Sequence, residues 1–433
     1  DSLAAIYPQF AQSQKVQIAD LKAVQKSIPN NQGVLEYVIA DNELYLFYFS
    51  NTEYKIHRQV LDFSLDSLVK NVIDNIYWEG CGLKKGQRNQ SCKNYTAGSF
   101  KLYEILIKPF EKEINDKSRL MIVPDEVLGW LPFQVLLSSL PETQGFYNEY
   151  DYLVRKFDIS YTYSLTFQLD LIRRGKAGAG KSVLAFAPKF EGEISGNPRN
   201  SENSCALGSR RNFGELKFNI PEAKVIVDLL KGTLRSENLA SVKSFFDLSS
   251  DYKILHFATH GQANEEEGKF SYLILKNEES GSNEILYMKD LSLLTNKLNA
   301  ELVVLSACET GLGEFQKGEG IVSLGRGFFL AGAGSVINSM WSVDDASTMD
   351  IMKMLYKNLD KGMEKDKALR KSQLEYLSRD TVNHHPFYWA AFTAVGNMEP
   401  ISGTGFLNLG WWIFGGSLVL FFLYWFIFRS RNQ

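Results

Sequence analysis

Cysteine and histidine are scarce in this sequence, with four and five copies in 433 residues, and none of them forms a recognisable metal site. Cys81 and Cys92 have the wrong spacing for zinc, and His384 and His385 have no cysteine or carboxylate partner at ligand spacing. We therefore expect no metal. Cys81 and Cys92 would form a small-loop disulfide in an oxidising compartment and would remain free thiols in the cytosol.

An excess of charge of either sign is also missing. The formal net charge is −3, which gives no reason to expect a nucleic-acid partner. No repeat period is visible along the chain. With 22% charged and 45% hydrophobic residues the chain is globular, and its length suggests two or three domains.

Two short apolar runs each end in a reactive side chain beside small residues. Residues 254–261 contain His260, and residues 302–311 contain Cys308. Both runs are typical of buried parallel strands that are broken by glycine. Because loops after parallel strands lie along one edge of the sheet, we expect His260 and Cys308 to face each other there.

The chemistry of a cysteine nucleophile needs this pair. A thiol is largely un-ionised at neutral pH, and a nearby imidazole can take its proton and return it to a leaving amine. The backbone N–H groups of Gly261 and Cys308 would form the oxyanion hole. A buried cysteine or histidine is often only a core residue, but the position of both at strand ends favours catalysis.

Several further motifs accompany these two runs. They read L-M-I-V-P-D-E-V-L-G-W-L-P-F at 120–133, H-F-A-T-H-G at 256–261, L-S-A-C-E-T-G at 305–311, G-E-G at 318–320, A-G-A-G-S-V-I at 331–337, W-S-V-D-D at 341–345 and P-F-Y-W-A-A-F at 386–392. Together they resemble the CHAT domain, a caspase-like cysteine peptidase module of the group that includes caspases, separase and gingipains. The resemblance implies that His260 is the general base, that Cys308 is the nucleophile and that His256 has a structural role.

Asp344 and Asp345 follow the apolar run that ends near residue 340. A carboxylate in a desolvated pocket selects arginine or lysine before the cleaved bond. Resemblance to the separase pattern assigns this substrate-binding role to Asp345, with Asp344 as a second candidate. Alternatively, either residue caps the helix that begins at Ala346.

Residues 175–182 read G-K-A-G-A-G-K-S and satisfy a phosphate-loop pattern. That motif works when a strand precedes the loop and a helix follows it. Here the predicted order is reversed, which favours a basic linker. A nucleotide-driven switch is the less favoured alternative.

Strands and helices alternate in the second half of the chain, which predicts a mainly parallel α/β sheet. Residues 78–96 are polar and predict a loop. Residues 311–320 are rich in glycine and predict a loop carrying Glu314 and Glu319, followed by a helix over 321–331.

The predicted fold is a caspase-like three-layer α/β sandwich with an N-terminal α+β subdomain. We divide the chain into an N-terminal part over 1–175, a catalytic subdomain over 176–398, a linker over 399–405, a transmembrane helix over 406–428 and a tail over 429–433. The 406–428 run is apolar enough to span a bilayer. Arginines in the tail place it in the cytoplasm and the catalytic part outside, which requires an upstream export signal. The alternative is a tail anchor with the catalytic part in the cytoplasm, since the bias depends on two arginines.

These observations predict a membrane-anchored cysteine endopeptidase of caspase-like type that cleaves after a basic residue. Its partners would be a protein or peptide substrate, a lipid bilayer and an upstream sensor region of tetratricopeptide repeat type, as CHAT domains often follow such repeats. No cofactor is needed for the chemistry. The alternative is a catalytically silent CHAT signalling or interaction module.

Overall fold

The computed structural model describes residues 19–78, 85–175, 180–190, 215–316, 320–380 and 382–403. Its strands are β1 (Gln32–Ala40), β2 (Glu43–Phe49), β3 (Tyr54–Val60), β4 (Arg119–Val123), β5 (Asp158–Tyr161), β6 (Lys181–Ala187), β7 (Thr233–Ser236), β8 (Tyr252–Ala258), β9 (Gly261–Gln262), β10 (Tyr272–Lys276), β11 (Asn283–Tyr287), β12 (Leu302–Ser306), β13 (Gly313–Gln316), β14 (Gly320–Ser323), β15 (Ser335–Ser339) and β16 (Phe392–Gly396).

The α-helices alternate with these strands over much of the chain. They are α1 (Leu21–Ser27), α2 (Leu65–Tyr77), α3 (Lys85–Leu106), α4 (Glu111–Ile114), α5 (Leu165–Arg174), α6 (Asn219–Leu230), α7 (Val242–Leu248), α8 (Leu324–Ala331), α9 (Asp345–Asp360), α10 (Lys365–Leu377) and α11 (Pro386–Trp389).

One large sheet contains eleven of the described strands, in the order β3-β2-β1-β4-β5-β16-β15-β12-β8-β6-β7. Strands β1, β4, β5 and β16 run parallel, and so do β15, β12, β8, β6 and β7. The two runs meet at the antiparallel pair β15–β16, and β2 and β3 add an antiparallel edge. The predicted α/β class with a mainly parallel sheet is confirmed.

Helices pack on both faces of this sheet, as the alternation along β8 illustrates. His256 points to one face, where it bonds with Glu222 of α6 and Tyr356 of α9. The next residue, Phe257, packs against Phe245 of α7 and Phe328 of α8 on the other face. Because both faces are covered, β8 is buried along nearly its whole length, which explains its almost continuous apolar sequence.

The predicted loop over 78–96 was wrong for its second part, because α3 begins at Lys85. This helix packs beside α2, and a Cβ at Gly98 would lie only 2.8 Å from Cγ2 of Val72. Glycine thus permits a close helix–helix approach that outweighs its low helix propensity. Cys92 of α3 is a buried free thiol near Tyr150, while Cys81 lies outside the described residues.

The predicted glycine-rich loop over 311–320 was also wrong, because β13 and β14 form a hairpin there. Phe315 pairs with Ile321 across it, and α8 begins only at Leu324. Glu314 Oε2 accepts a hydrogen bond of 2.8 Å from the Gly268 N–H, which ties the hairpin to the loop after β9. Glu319 lies outside the described residues.

The predicted membrane localisation needs a correction. Over the ranges that the structure describes, no helix combines the length and the apolar character needed to cross a bilayer. The apolar run over 406–428, on which that prediction depended, lies outside those ranges.

His385 is buried at the beginning of α11, where its Nδ1 accepts a hydrogen bond of 3.2 Å from the Phe387 N–H. The Tyr147 ring lies 4.6 Å from the imidazole, centroid to centroid. Burial lowers the pKa of His385 to about 3, and the charge of Arg88 contributes less. The folded protein therefore holds His385 neutral over a wide acidic range in which the unfolded chain would protonate it.

This lowered pKa predicts an acid-sensitive fold. The folded pKa lies below the unfolded value of about 6.5. The stability that His385 contributes is therefore fully present above pH 6.5 and is lost as the pH falls towards 3. The slope from this group is about 1.4 kcal/mol per pH unit. His385→Asn keeps an N-cap acceptor but does not titrate. In urea denaturation between pH 6 and 4, the free energy of unfolding of the variant should fall less steeply by about that slope, and equal slopes would contradict this assignment.

Candidate functional site

The ends of β8 and β12 bring His260 and Cys308 to the same edge of the sheet. The two strands are parallel neighbours, with Ala258 in register with Ser306. His260 and Cys308 each follow two residues later, and the Thr259 N–H still donates to the Ser306 carbonyl at 3.3 Å. His260 and Cys308, the pair predicted from the sequence, therefore lie at equal height, equally far beyond the ends of two adjacent strands.

Gly261 lies directly against the backbone that carries Cys308. A Cβ at Gly261 would stand 3.2 Å from the Cys308 carbonyl oxygen and equally close to the Ala307 Cβ. Such contacts are tighter than most real Cβ contacts, so glycine permits the close approach of the two segments. The two residues predicted to supply oxyanion N–H groups are thus neighbours.

Cys308 is half-buried, and its sulfur has a hydroxyl partner that the sequence did not reveal. Ser342 Oγ donates a hydrogen bond to Cys308 Sγ at 3.0 Å. Directly after Cys308, Glu309 adopts a left-handed backbone conformation with φ of 57°, and its side chain is buried. Such a conformation is uncommon for a residue other than glycine and is typical of functional turns.

His260 is held from its backbone and from its ring. Its carbonyl accepts a hydrogen bond of 2.9 Å from the Ile274 N–H, which fixes the chain to β10. The Phe190 ring lies 4.6 Å from the imidazole, centroid to centroid. Lys276 places its ammonium group 5.4 Å from the same Phe190 ring. Sequence analysis missed Phe190, because nothing in its own surroundings along the chain marks it as a neighbour of His260.

Asp344 and Asp345 have different partners at the start of α9. Asp344 is the N-cap, and its carboxylate accepts a hydrogen bond of 2.9 Å from the Ser347 N–H. Asp345 Oδ2 instead accepts two hydrogen bonds of 2.9 Å, from the backbone N–H groups of Lys217 and Phe218. Asp344 thus occupies the capping position, whereas Asp345 connects α9 to the segment before α6.

The Asp345 carboxyl group has a raised pKa. Burial is the main cause, and it is opposed by the hydrogen bond from the Phe218 N–H. The negative charge of Glu222 raises the pKa further, while the hydrogen bond from the Lys217 N–H lowers it and the charge of Asp344 raises it. Two further carboxylates therefore contribute negative potential at the position where the pocket carboxylate was predicted.

Two other sequence patterns have little support as sites. The phosphate-loop pattern follows α5 and precedes β6, so its flanking elements have the reversed order that was predicted. Residues 176–179 of that pattern lie outside the described residues. In the described part of the chain, no group of three or more histidine, cysteine, aspartate or glutamate residues is arranged to hold a metal ion.

Comparison with known proteins gives a family and a fold. The CHAT domain family model matches residues 97–397. Tetratricopeptide repeat protein 28 of Mus musculus and of Homo sapiens is 22% identical over 334 residues, which covers 68% of this chain and 13% of each relative. The chain thus spans a small fraction of the length of these curated relatives.

Among solved structures, separase in the Saccharomyces cerevisiae separase–securin complex has a TM-score of 0.51 at 11% identity, and the match covers 87% of this chain and 31% of separase. The Arg-specific cysteine proteinase gingipain R has a TM-score of 0.43 at 13% identity, with 77% and 76% of the two chains covered. The separase comparison shows a shared fold over most of the chain. Because the family model also extends over more than half of the sequence, the resemblance predicted from the motifs is confirmed, and the protein belongs to the CHAT domain family.

Proposed function

We propose that this protein is a cysteine endopeptidase of caspase-like type that cleaves after arginine or lysine. The observation that carries the proposal is the register of β8 and β12, which delivers His260 and Cys308 to one edge of the sheet at equal height. Membership of the CHAT family and the fold shared with separase agree with it.

In the proposed reaction, His260 takes the proton from Cys308 Sγ, and the sulfur attacks the carbonyl carbon of the scissile peptide bond. The new carbon–sulfur bond leaves a negative oxygen, which accepts hydrogen bonds from the N–H groups of Gly261 and Cys308. The carbon–nitrogen bond then breaks, and His260 returns the proton to the departing amine. Water, deprotonated by His260, finally hydrolyses the thioester and restores the thiol.

Ser342 has a supporting role in this reaction. Its hydroxyl donates to Cys308 Sγ at 3.0 Å. A hydrogen bond to the charged form of an ionisable group favours that form, so the hydroxyl would stabilise the thiolate. Ser342 comes three residues before Asp345, so one segment carries both the hydroxyl partner of the proposed nucleophile and the proposed specificity residue.

Asp345 would select the basic side chain. Both of its backbone hydrogen bonds end on Oδ2, so Oδ1 could accept a charge-assisted hydrogen bond from a guanidinium or ammonium group. Its partial burial makes an ion pair there stronger than one on the open surface. Asp344, by contrast, uses its carboxylate to cap α9.

An upstream regulatory region is also part of the proposal. The curated relatives carry tetratricopeptide repeats in their name, and the chain matches only 13% of their length. We infer that the catalytic part acts together with a repeat region or another protein partner that controls substrate access.

The first test is a panel of fluorogenic peptides with Arg, Lys, Asp or Ala before the reporter. The chain should cleave the Arg and Lys peptides, and Cys308→Ala should abolish this cleavage. Asp345→Asn should lower kcat/KM for the basic peptides about 100-fold and affect the Ala peptide much less, because an ion pair is lost. Asp344→Asn is the matched control, since it removes an equal charge but keeps a good N-cap, and its effect should be several-fold at most.

Each other outcome has a distinct meaning. Cleavage after Asp alone would agree with the proposed roles of Cys308 and His260 but would reject the proposed role of Asp345. No cleavage of any peptide, together with an alkylation rate of Cys308 typical of an ordinary thiol, would indicate a catalytically silent interaction module instead.

A further inference from the structure

Glu222, His256 and Tyr356 form a buried chain of hydrogen bonds behind Asp345. Glu222 Oε1 lies 2.9 Å from His256 Nε2, and Tyr356 Oη lies 3.0 Å from His256 Nδ1. His256 and Tyr356 are completely inaccessible to solvent and Glu222 is 2% exposed. The three residues connect β8, α6 and α9, which are the elements that lead to His260 and Asp345.

The hydrogen-bonding needs of these three side chains determine where the protons between them lie. Burial raises the pKa of Tyr356 well above its ordinary value, so the phenol keeps its hydrogen. Among the described residues Tyr356 Oη has His256 as its one hydrogen-bond partner, and a buried hydroxyl without an acceptor would be costly. Tyr356 therefore donates to Nδ1, and the imidazole proton resides on Nε2.

That tautomer also sets the direction of the hydrogen bond to Glu222. With its proton on Nε2, His256 donates a hydrogen bond to Glu222 Oε1 at 2.9 Å. With Nδ1 as an acceptor, the one ring N–H of His256 is the donor to Glu222. The negative charge of Glu222 raises the pKa of Asp345, and in the protein interior water screens this interaction little.

The first turn of α6 holds this charge close to Asp345. The Phe218 N–H donates to Asp345 Oδ2 at 2.9 Å, while the Phe218 carbonyl accepts from the Glu222 N–H at 2.8 Å. One residue therefore links the backbone of Glu222 to the carboxylate of Asp345. The two carboxylates repel each other, and a cation placed beside Asp345 would relieve this repulsion.

We propose that Glu222 is a second specificity-determining residue, whose buried negative charge acts together with Asp345 to select a substrate with a cationic side chain. This inference rests on the proposed function of Asp345. His256 and Tyr356 serve as positioning residues, because their hydrogen bonds fix where the Glu222 carboxyl group lies.

The test uses benzamidine, a planar cation that resembles the arginine head group, and its neutral isostere benzamide. Glu222→Gln keeps an acceptor for His256 Nε2 but removes the charge. We expect calorimetric titration of the full chain to show benzamidine binding about tenfold weaker in Glu222→Gln than in the wild type. Benzamide binding should change by about twofold or less, because it does not depend on charge.

Tyr356→Phe is the matched structural control. It removes one hydrogen bond of the same network and leaves Glu222 charged, so benzamidine affinity should change much less than in Glu222→Gln. Equal losses in the two variants, or equal losses for benzamidine and benzamide, would overturn the charge-based role of Glu222. Thermal unfolding of each variant verifies that it is folded at the titration temperature.

Failure of this inference is distinguishable from failure of the proposed function. Benzamidine binding that weakens in Asp345→Asn but not in Glu222→Gln would reject Glu222 alone. An absence of benzamidine binding by the wild type would reject both residues as a cation pocket. Absence of any peptide cleavage that depends on Cys308 would instead reject the peptidase, whatever the benzamidine result.

Discussion

Replacing His260 by alanine is expected to lower kcat/KM for a basic-residue peptide by about 10⁴-fold. The imidazole is the proposed acceptor of the Cys308 proton and the donor to the leaving amine, so its loss affects both steps. Cys308→Ala should cost at least as much. The double variant should be little worse than either single variant, since residues that act as a unit are strongly non-additive.

A second readout separates loss of the base from loss of the fold. The rate at which iodoacetamide alkylates Cys308 depends on its thiolate fraction. At pH 6.5 we expect this rate to fall about tenfold or more in His260→Ala, because an isolated thiol is almost fully protonated there. Mass spectrometry of the Cys308 peptide distinguishes it from other thiols, including the buried Cys92.

Ser342→Ala is the matched control for this experiment. It removes the hydroxyl that donates to Cys308 Sγ but leaves His260 in place, so the alkylation rate should fall by a smaller factor. If Cys308 reacts at the same rate in the wild type and in His260→Ala across pH 6 to 9, His260 is not its base.

The strands that carry these two residues could be predicted because their signals are local. Each is a contiguous apolar run that ends beside small residues, and parallel neighbours necessarily place their ends at one edge. The antiparallel junction between β15 and β16 could not be predicted in the same way. It depends on which distant strand completes the sheet, and β16 is connected to β15 only through three helices.

The partners of the candidate site were missed for a related reason. Phe190, Ser342 and the N–H groups of Lys217 and Phe218 meet His260, Cys308 and Asp345 only after the chain has folded. Ser342 belongs to the motif W-S-V-D-D, but only its two aspartates were predicted to be site residues. A hydroxyl residue inside that motif, three positions before the predicted pocket aspartate Asp345, was the signal that could have identified it.

Local propensity also failed where packing outweighed it. The beginning of α3 is polar and contains Gly86, so its sequence resembles a loop. The helix forms because Tyr95 and Leu102 become fully buried and Gly98 fits against Val72. In the hairpin of β13 and β14, glycine likewise permits close backbone contact, since a Cβ at Gly313 would lie 2.2 Å from the Val322 carbonyl oxygen.

Replacing Arg119 by leucine is expected to destabilise the protein by about 3–5 kcal/mol, because it leaves a buried carboxylate without its partner. Arg119 of β4 donates from Nε and Nη2 to Asp366 Oδ2 at 3.1 and 2.8 Å, and from Nη1 to Glu364 at 2.6 Å. The Asp366 side chain is completely inaccessible to solvent. Urea denaturation measures the change in the free energy of unfolding.

The loss of stability in Arg119→Leu should come from the unpaired charge of Asp366 and not from the lost ion pair itself. Arg119→Leu combined with Asp366→Leu should therefore be more stable than Arg119→Leu alone, because no buried carboxylate remains. Lys243→Met breaks the exposed pair with Asp247, whose atoms lie 2.7 Å apart, and should destabilise the protein far less than Arg119→Leu, because water screens that pair. Equal costs for Arg119→Leu and Lys243→Met would show that burial of Asp366 does not govern this contact. Arg119 lies in the predicted N-terminal part and Asp366 in the predicted catalytic part, so a single cooperative urea transition in Arg119→Leu would also indicate that the two parts unfold together.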